Sequence, residues 1–145
     1  MVQLNNDILH KVITKRPENS HKGTFGRVVL IGGNHQYGGA IIMSAEACIK
    51  SGAGLTTVVT AEKNHTALHT RLPEAMVLDF NETKTLYQVL EKADVILIGP
   101  GLGLAKEMAM LLKEVLTNQQ AEQWLVIDGS AITLFKDYKL SLKIS

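Results

Sequence analysis

Five short apolar runs alternate with segments of helical periodicity, and this alternation limits the possible folds more than any other feature of the chain. The runs are apolar at consecutive positions, as expected for strands that are covered on both faces. Strands of this kind joined by helices predict a parallel sheet with right-handed crossovers and helices on both faces. The predicted strands are residues 28–31, 55–60, 75–80, 95–98 and 125–127.

The segments between these runs repeat apolar residues every three or four positions, which predicts helices with one buried face. The clearest stripe runs from Leu104 to Leu116, and weaker stripes cover residues 4–13, 41–49 and 86–93. Another element begins at Ser130. The sequence therefore predicts a three-layer α/β fold with a parallel central sheet.

The size and charge of the chain exclude several classes of protein. With 145 residues, 46% of them hydrophobic, residues 1–145 are expected to form a single domain. No apolar run approaches the roughly 20 residues that span a bilayer, so no membrane partner is expected. A net charge of +1 argues against nucleic acid as a partner.

Cysteine usage and the first residues indicate a compartment. Cys48 is the only cysteine, so no internal disulfide can form. The first residues do not read as a secretory signal. Because the histidines are scattered, no zinc site is expected either. These features favour a cytoplasmic protein without a metal site of its own.

A glycine-rich loop between the first strand and the next helix is the first candidate site. Gly32 and Gly33 follow the strand, and the segment Tyr37-Gly38-Gly39-Ala40 opens the helix. The spacing matches neither the dinucleotide fingerprint nor a P-loop, so a tight turn and a ligand-binding loop both remain open. In the second case the backbone at Gly39 approaches the ligand, Ala40 and Ile41 offer free amides, and the exposed His35 lies within reach.

The second candidate site is the segment Gly99-Pro100-Gly101-Leu102-Gly103, which follows another strand. A backbone with few side chains suits a flat or phosphorylated ligand, although a simple turn is the alternative. Binding is favoured, because loops at the carboxyl ends of parallel strands share one crevice.

Two polar clusters complete the candidates. Asp128 and Ser130 follow the last strand and can contact a ligand, but a helix N-cap is the favoured interpretation. His21 and Lys22 can pair with phosphate, but a solvated turn before the first strand is expected.

The order of several short motifs resembles the NAD(P)H-hydrate dehydratase family, whose fold is ribokinase-like. The resemblance covers residues 16–128. It is carried by Ser20-His21-Lys22-Gly23-Thr24-Phe25-Gly26-Arg27, Gly32-Gly33, Tyr37-Gly38-Gly39-Ala40, Ser51-Gly52-Ala53-Gly54-Leu55, Leu72-Pro73-Glu74-Ala75-Met76 and Gly99-Pro100-Gly101-Leu102-Gly103.

The resemblance implies an activity and a set of ligands. Members of the family are lyases that return the hydrated forms of NADH and NADPH, NADHX and NADPHX, to the intact cofactors. They consume ADP or ATP, with magnesium, and they tend to form homo-oligomers. The implied reaction phosphorylates the hydroxyl of the hydrated ring and then eliminates phosphate.

The resemblance also assigns residues. Ala40, with Gly39 beside it, and Gly101, with Gly103, match positions that bind the hydrated dinucleotide. The family's adenine-nucleotide segment and the Gly-Thr-Gly-Asp motif that carries the implied catalytic base have no counterpart in these 145 residues. Asp128-Gly129-Ser130 also departs from the family's acidic pattern. No catalytic and no metal-binding residue is therefore assigned.

The expected domain is thus an incomplete, truncated ribokinase-like domain, inactive by itself. The severed sheet is expected to expose apolar surface near residues 125–127 and along residues 134–144. Two alternatives remain: a non-catalytic dinucleotide-binding module or pseudoenzyme, and a ribokinase-like small-molecule kinase. The Ser20–Gly26 stretch favours the dehydratase over the kinase.

Overall fold

A single parallel sheet of five strands organises the chain in the computed structural model, which describes residues 5–13, 15 and 17–142. The strands are β1 (Arg27–Ile31), β2 (Leu55–Val59), β3 (Met76–Leu78), β4 (Val95–Ile98) and β5 (Trp124–Ile127). Their spatial order is β3-β2-β1-β4-β5, and every neighbouring pair is parallel. All five predicted strands and the parallel sheet are confirmed, although β2 and β3 are shorter than the predicted ranges 55–60 and 75–80.

Helices cover both faces of this sheet. The helices of the described residues are α1 (Asp7–Val12), α2 (Gly38–Lys50), α3 (His65–Arg71), α4 (Thr83–Glu91), α5 (Lys106–Asn118) and α6 (Ser130–Asp137). Helices α2 and α3 pack on one face, where Ile41 and Leu68 are fully buried. Helices α4, α5 and α6 pack on the other, around Leu112 and Leu134. The three-layer α/β architecture is confirmed.

The order of the strands creates a switch point at the carboxyl edge of the sheet. The chain moves outward from β1 through β2 to β3, then returns to add β4 on the other side of β1. After β1 the chain crosses to the face covered by α2, and after β4 it crosses to the opposite face, covered by α5. Open α/β sheets bind ligands in the crevice that such diverging connections leave.

Two sequence expectations are corrected here. Leu104 is not part of α5: it lies before Ala105, the extended N-cap, and is 59% exposed. The expectation of apolar exposure along residues 134–144 is corrected only in part: Leu134 is buried and Phe135 and Leu140 contact the core, whereas Tyr138 and Leu142 are exposed.

Three residues that figure in the sequence expectations, Leu4, Arg16 and Ile144, lie outside the described residues. No helix in the described part of the chain is both long and apolar enough to cross a membrane.

Candidate functional site

The two glycine loops meet at the switch point through backbone hydrogen bonds. Gly33 donates its amide to the Pro100 carbonyl at 2.8 Å, and Asn34 donates to the Gly101 carbonyl at 2.7 Å. At Gly32 a Cβ atom would collide with the Pro100 carbonyl, so only glycine allows this approach. The structure therefore brings the loops after β1 and β4 into one crevice, as the sequence predicts.

The glycines of the second loop have a packing role as well. Gly101 has φ +63°, and a Cβ there would meet the Tyr37 carbonyl. A Cβ on Gly103 would meet the side chain of Asn34. The amide of Gly103 donates to the Ser130 hydroxyl at 3.2 Å. Both positions are half-buried at the crevice, and their lack of a side chain lets the two loops close on each other.

The start of α2 forms the other wall of the crevice. The side-chain oxygen of Asn34 accepts hydrogen bonds from the amides of Gln36 and Tyr37, both at 2.9 Å, and so turns the chain into the helix. Gly39 is exposed, and a Cβ at this position would have no atom within 4 Å. The open space beside Gly39 is a hollow that it shares with residues of α2 and α3, among them Met43 and Arg71, and no residue of the second glycine loop lines it.

Ala40 adjoins the second loop through a shared neighbour. The Tyr37 carbonyl lies against Gly101 and also accepts the Ala40 amide at 3.3 Å. The expectation that this amide is free is therefore wrong, because a turn of the backbone before the helix already uses it. What Ala40 offers at this edge is its small, half-buried side chain.

A buried polar pair supports the first loop, and sequence reasoning missed it: Thr60 follows β2 directly, and Asn64 is the N-cap of α3. The Gly33 carbonyl accepts hydrogen bonds from the Thr60 hydroxyl at 2.7 Å and from the side-chain nitrogen (Nδ2) of Asn64 at 2.8 Å. The same Asn64 side-chain nitrogen also donates to the Thr60 hydroxyl oxygen at 2.9 Å. The available signal was the position of Thr60, a polar residue directly after a buried strand at the carboxyl edge.

The crevice carries almost no charge of its own. Residues 32–40 and 99–105 include no Lys, Arg, Asp or Glu, and His35 is their only titratable group besides Tyr37. An anionic ligand here would meet backbone groups and the positive end of α2 rather than cationic side chains.

Of the two polar clusters, the one after β5 adjoins the second glycine loop, and the one before β1 lies away from both loops. The N-cap of α6 is Gly129, and neither Asp128 nor Ser130 caps it through its side chain, so the expected cap is wrong. Gly129 has φ +50°, which turns the chain so that the Ser130 hydroxyl reaches Gly103 instead. His21 and Lys22 lie before β1, at the opposite edge of the sheet from the glycine loops, and both are exposed.

The described residues do not form a magnesium site. They include no group of three histidine, cysteine, aspartate or glutamate residues arranged to hold a metal ion. Asp128 is exposed, and a single carboxylate does not make a magnesium site. Burial raises the pKa of the Cys48 thiol, so it stays protonated at neutral pH, and its sulfur lies 3.7 Å from the Thr56 hydroxyl, away from the glycine loops.

Comparison with known proteins gives a consistent family assignment. A family model described as NAD(P)H-hydrate dehydratase matches residues 28–143. The chain is 65% identical to an ADP-dependent (S)-NAD(P)H-hydrate dehydratase of Enterococcus faecalis over 142 residues, which is 98% of this chain and 49% of the relative. A Lactococcus lactis relative of the same name is 54% identical over 98% of this chain and 51% of its own length.

Solved structures share the fold. A ribokinase-like superfamily protein from Enterococcus faecalis superposes with a TM-score of 0.92 at 65% identity, over 97% of this chain and 49% of that one. A Bacillus subtilis ADP/ATP-dependent NAD(P)H-hydrate dehydratase, co-crystallised with ATP and Mg²⁺, gives a TM-score of 0.71 at 25% identity, over 88% and 45%. The chain thus spans about half the length of the relatives it matches.

Proposed function

Because the chain belongs to the NAD(P)H-hydrate dehydratase family, we propose that it supplies the dinucleotide-binding crevice of an enzyme that dehydrates NADHX and NADPHX. The observation that carries the proposal is the backbone pairing of the two glycine loops at the switch point of the sheet. In this proposal Gly39, Ala40, Gly101 and Gly103 contact the dinucleotide. ADP, or ATP, with magnesium is the proposed co-substrate, as in the names of the relatives.

The role of these residues is to bind and orient. A hydroxyl is a poor leaving group, and phosphorylation converts it into a good one, provided that the dinucleotide is held in a fixed position. Glycines in these loops lack a side chain, which allows the backbone to lie against a phosphate or a ring. Because the described residues do not form a magnesium site, we assign no step of phosphoryl transfer to them.

A non-catalytic binding module is the second candidate. The glycine loops contain no carboxylate, and His35 is exposed. This arrangement fits a site that holds a dinucleotide without reacting with it. Both candidates predict no dehydration of NADHX by the 145 residues in the presence of ADP or ATP. Turnover in this assay would exclude the non-catalytic module.

The test of the crevice is a pair of substitutions at Ala40. Ala40→Asp adds bulk and a negative charge where the proposal places the ligand, and Ala40→Asn adds nearly the same bulk without the charge. We expect the aspartate to weaken NADPH binding by about 1 to 3 kcal/mol, the cost of an unpaired, crowded group. The asparagine should have a smaller effect.

Calorimetric titration with NADPH measures both affinities. An acidic residue in the first turn of a helix is electrostatically favourable, so the aspartate variant should stay folded. Thermal melting checks this point. Equal affinities for the parent and the aspartate variant would remove Ala40 from the site.

A further inference from the structure

A cavity of about 370 Å³ opens at the amino edge of the sheet, opposite to the edge that carries the glycine loops. Its lining comes from three segments that each lead into a strand: residues 20–25 before β1, residues 49–56 at the start of β2, and Glu74 before β3. No residue of the two glycine loops contributes to it. The volume lies within the range of small-molecule sites, and the proposed function uses none of these residues.

Close backbone contacts fix the walls of this cavity. The Gly54 amide donates to the Phe25 carbonyl at 3.0 Å. The next amide, that of Leu55, donates to the Gly26 carbonyl, also at 3.0 Å. A Cβ atom on Gly54 would collide with the Lys22 carbonyl, so the two segments approach this closely only because residue 54 is a glycine. The cavity is therefore bounded by backbone that the start of the sheet holds in place.

The lining combines apolar side chains with one buried hydroxyl. Phe25 and Ile49 are half-buried there, and Thr56 is only 4% exposed. Within the described part of the chain, the Thr56 hydroxyl has a single hydrogen-bond contact, with Cys48 Sγ at 3.7 Å. Because a thiol is both a weak donor and a weak acceptor, this hydroxyl retains hydrogen-bonding capacity for a ligand.

The lining also carries two opposite charges that do not meet. Lys22 precedes β1 and Glu74 precedes β3, the two strands that flank β2 in the sheet. Both side chains are exposed, and neither forms an ion pair with any described residue. His21 lines the cavity next to Lys22, and its Nδ1 atom lies 3.3 Å from the Thr24 hydroxyl, which leaves its Nε2 atom for a ligand. The cavity thus offers an ammonium group and an imidazole from one segment and a carboxylate from another.

We propose that this cavity binds a small zwitterion in which a short apolar chain separates the carboxylate from the ammonium group, as in an ω-amino acid. In this arrangement the carboxylate faces Lys22 and His21, and the ammonium group faces Glu74. The chain between them lies on Phe25 and Ile49. A ligand with a negative charge alone leaves the Glu74 carboxylate without a partner, and one with a positive charge alone leaves Lys22 without one. The site is separate from the dinucleotide crevice and does not depend on the proposed function.

The first experiment titrates three probes into the isotope-labelled 145-residue chain and follows the amide signals by NMR. The probes 5-aminopentanoate, pentanoate and pentylamine share a chain length and differ in charge. We expect 5-aminopentanoate to shift the signals of Lys22, Gly54 and Glu74 to saturation. It should bind about two- to fivefold more tightly than either other probe, the contribution of one exposed charge pair. Equal affinity for pentanoate or pentylamine, tighter binding of inorganic phosphate, or the absence of saturable shifts would overturn the proposal.

Variants that remove one charge identify the groups that bind the probe. Lys22→Gln and Glu74→Gln should each weaken 5-aminopentanoate binding by about two- to fivefold. Lys63→Gln and Glu122→Gln remove the same charges outside the cavity and should leave the affinity unchanged. All four positions are exposed, so the variants should stay folded. Unchanged affinity in either cavity variant, or an equal loss in the control variants, would overturn the proposal.

A charge exchange separates binding of a zwitterion from a structural role of the two residues. Lys22→Glu and Glu74→Lys should each weaken binding about fivefold or more when made alone, because each replaces an attraction by a repulsion. A zwitterion can enter the cavity in either direction, so the two substitutions together should restore the affinity to within about threefold of the parent. A double variant that binds 5-aminopentanoate no better than the single variants would overturn the proposal.

Discussion

At the scale of single residues, the glycines of the site do not all have the same role. Gly32 and Gly101 are required by packing, since a side chain at either would collide with a backbone carbonyl of the other loop. Substitution there disrupts the loops whether or not a ligand binds. Gly39 differs because the space next to it is open, so a side chain there would not disturb the packing of the loops.

The buried pair of Thr60 and Asn64 gives a residue-scale prediction about stability. Thr60→Val keeps the shape of the side chain but removes, at a fully buried position, one of the donors to the Gly33 carbonyl and the acceptor of the Asn64 side chain. We expect a loss of about 1 to 3 kcal/mol in the free energy of unfolding. Thr60→Ser keeps the hydroxyl and loses one methyl group, at about 0.8 kcal/mol. Urea unfolding measures both, and a valine variant at least as stable as the serine variant would contradict this role.

At the scale of elements, the sequence was sufficient to predict the strands, the order of layers and the meeting of the two glycine loops. Consecutive apolar residues and glycine breaks are local signals, and β1, β2 and β4 are covered on both faces as their composition requires. The three-residue β3 is shorter than predicted: among the described residues it pairs with β2 alone, and Asp79 ends it by accepting the Asn81 and Glu62 amides.

The features that sequence could not supply depend on contacts between distant residues. The periodicity of α5 extends to Leu104, yet the backbone before Ala105 is extended, and Leu104 lines a cavity instead. Ser130 resembles an N-cap, but its hydroxyl bonds Gly103, which is 27 positions away. The Thr60–Asn64 pair acts on Gly33, about 30 positions earlier in the chain. Periodicity and motif spacing contain no information on such pairs.

The link between α2 and α3 gives a prediction about pH. Glu46 on α2 pairs with Lys50 at 2.8 Å and with Arg71, the last residue of α3, at 2.6 Å. The hydrogen bonds from Lys50, and then from Arg71, hold the pKa of the Glu46 carboxyl below its usual value of 4.5. A lowered pKa in the folded state means that the stabilisation is fully present above pH 4.5 and is lost as the pH falls through the folded-state pKa.

Melting temperatures of the parent and of Glu46→Gln between pH 3 and 7 measure this effect. The parent should melt higher than the variant at neutral pH, and the difference should vanish at the acidic end. Glu122→Gln, at an exposed position without an ion pair to any described residue, is the control. A difference that stays constant with pH would show that Glu46 does not contribute through its charge.

At the scale of the whole molecule, one part of the sheet is not covered by any helix of the described residues. Val126 lies beside Leu97, which faces the α2 and α3 layer, and Trp124 lies beside Val95. Trp124 is 76% exposed and Val126 is 48% exposed. Among the described residues β5 pairs only with β4, so its outer edge also presents unpaired backbone groups.

This surface predicts self-association of the 145-residue chain, in line with the expected homo-oligomer. Sedimentation velocity over a range of concentrations should show species larger than a monomer. Replacing Trp124 and Val126 together by lysine should shift the distribution to monomer. Ile132→Lys makes the same kind of apolar-to-charged substitution at an exposed position on α6, and it should leave the distribution unchanged. A parent chain that stays monomeric at every concentration would contradict the prediction.

The central claim, that the paired glycine loops bind a dinucleotide, is tested most directly by calorimetric titration of NADPH into the parent chain and into Gly39→Ala. The added methyl group enters open space at the start of a helix, so folding should be unchanged or stabilised by up to about 0.5 kcal/mol. In the complex the same methyl group would stand between the backbone and the ligand. We predict binding to the parent and an affinity lowered at least about tenfold, or about 1.4 kcal/mol, in the variant. No binding to the parent, or equal affinity in both proteins, would contradict the claim.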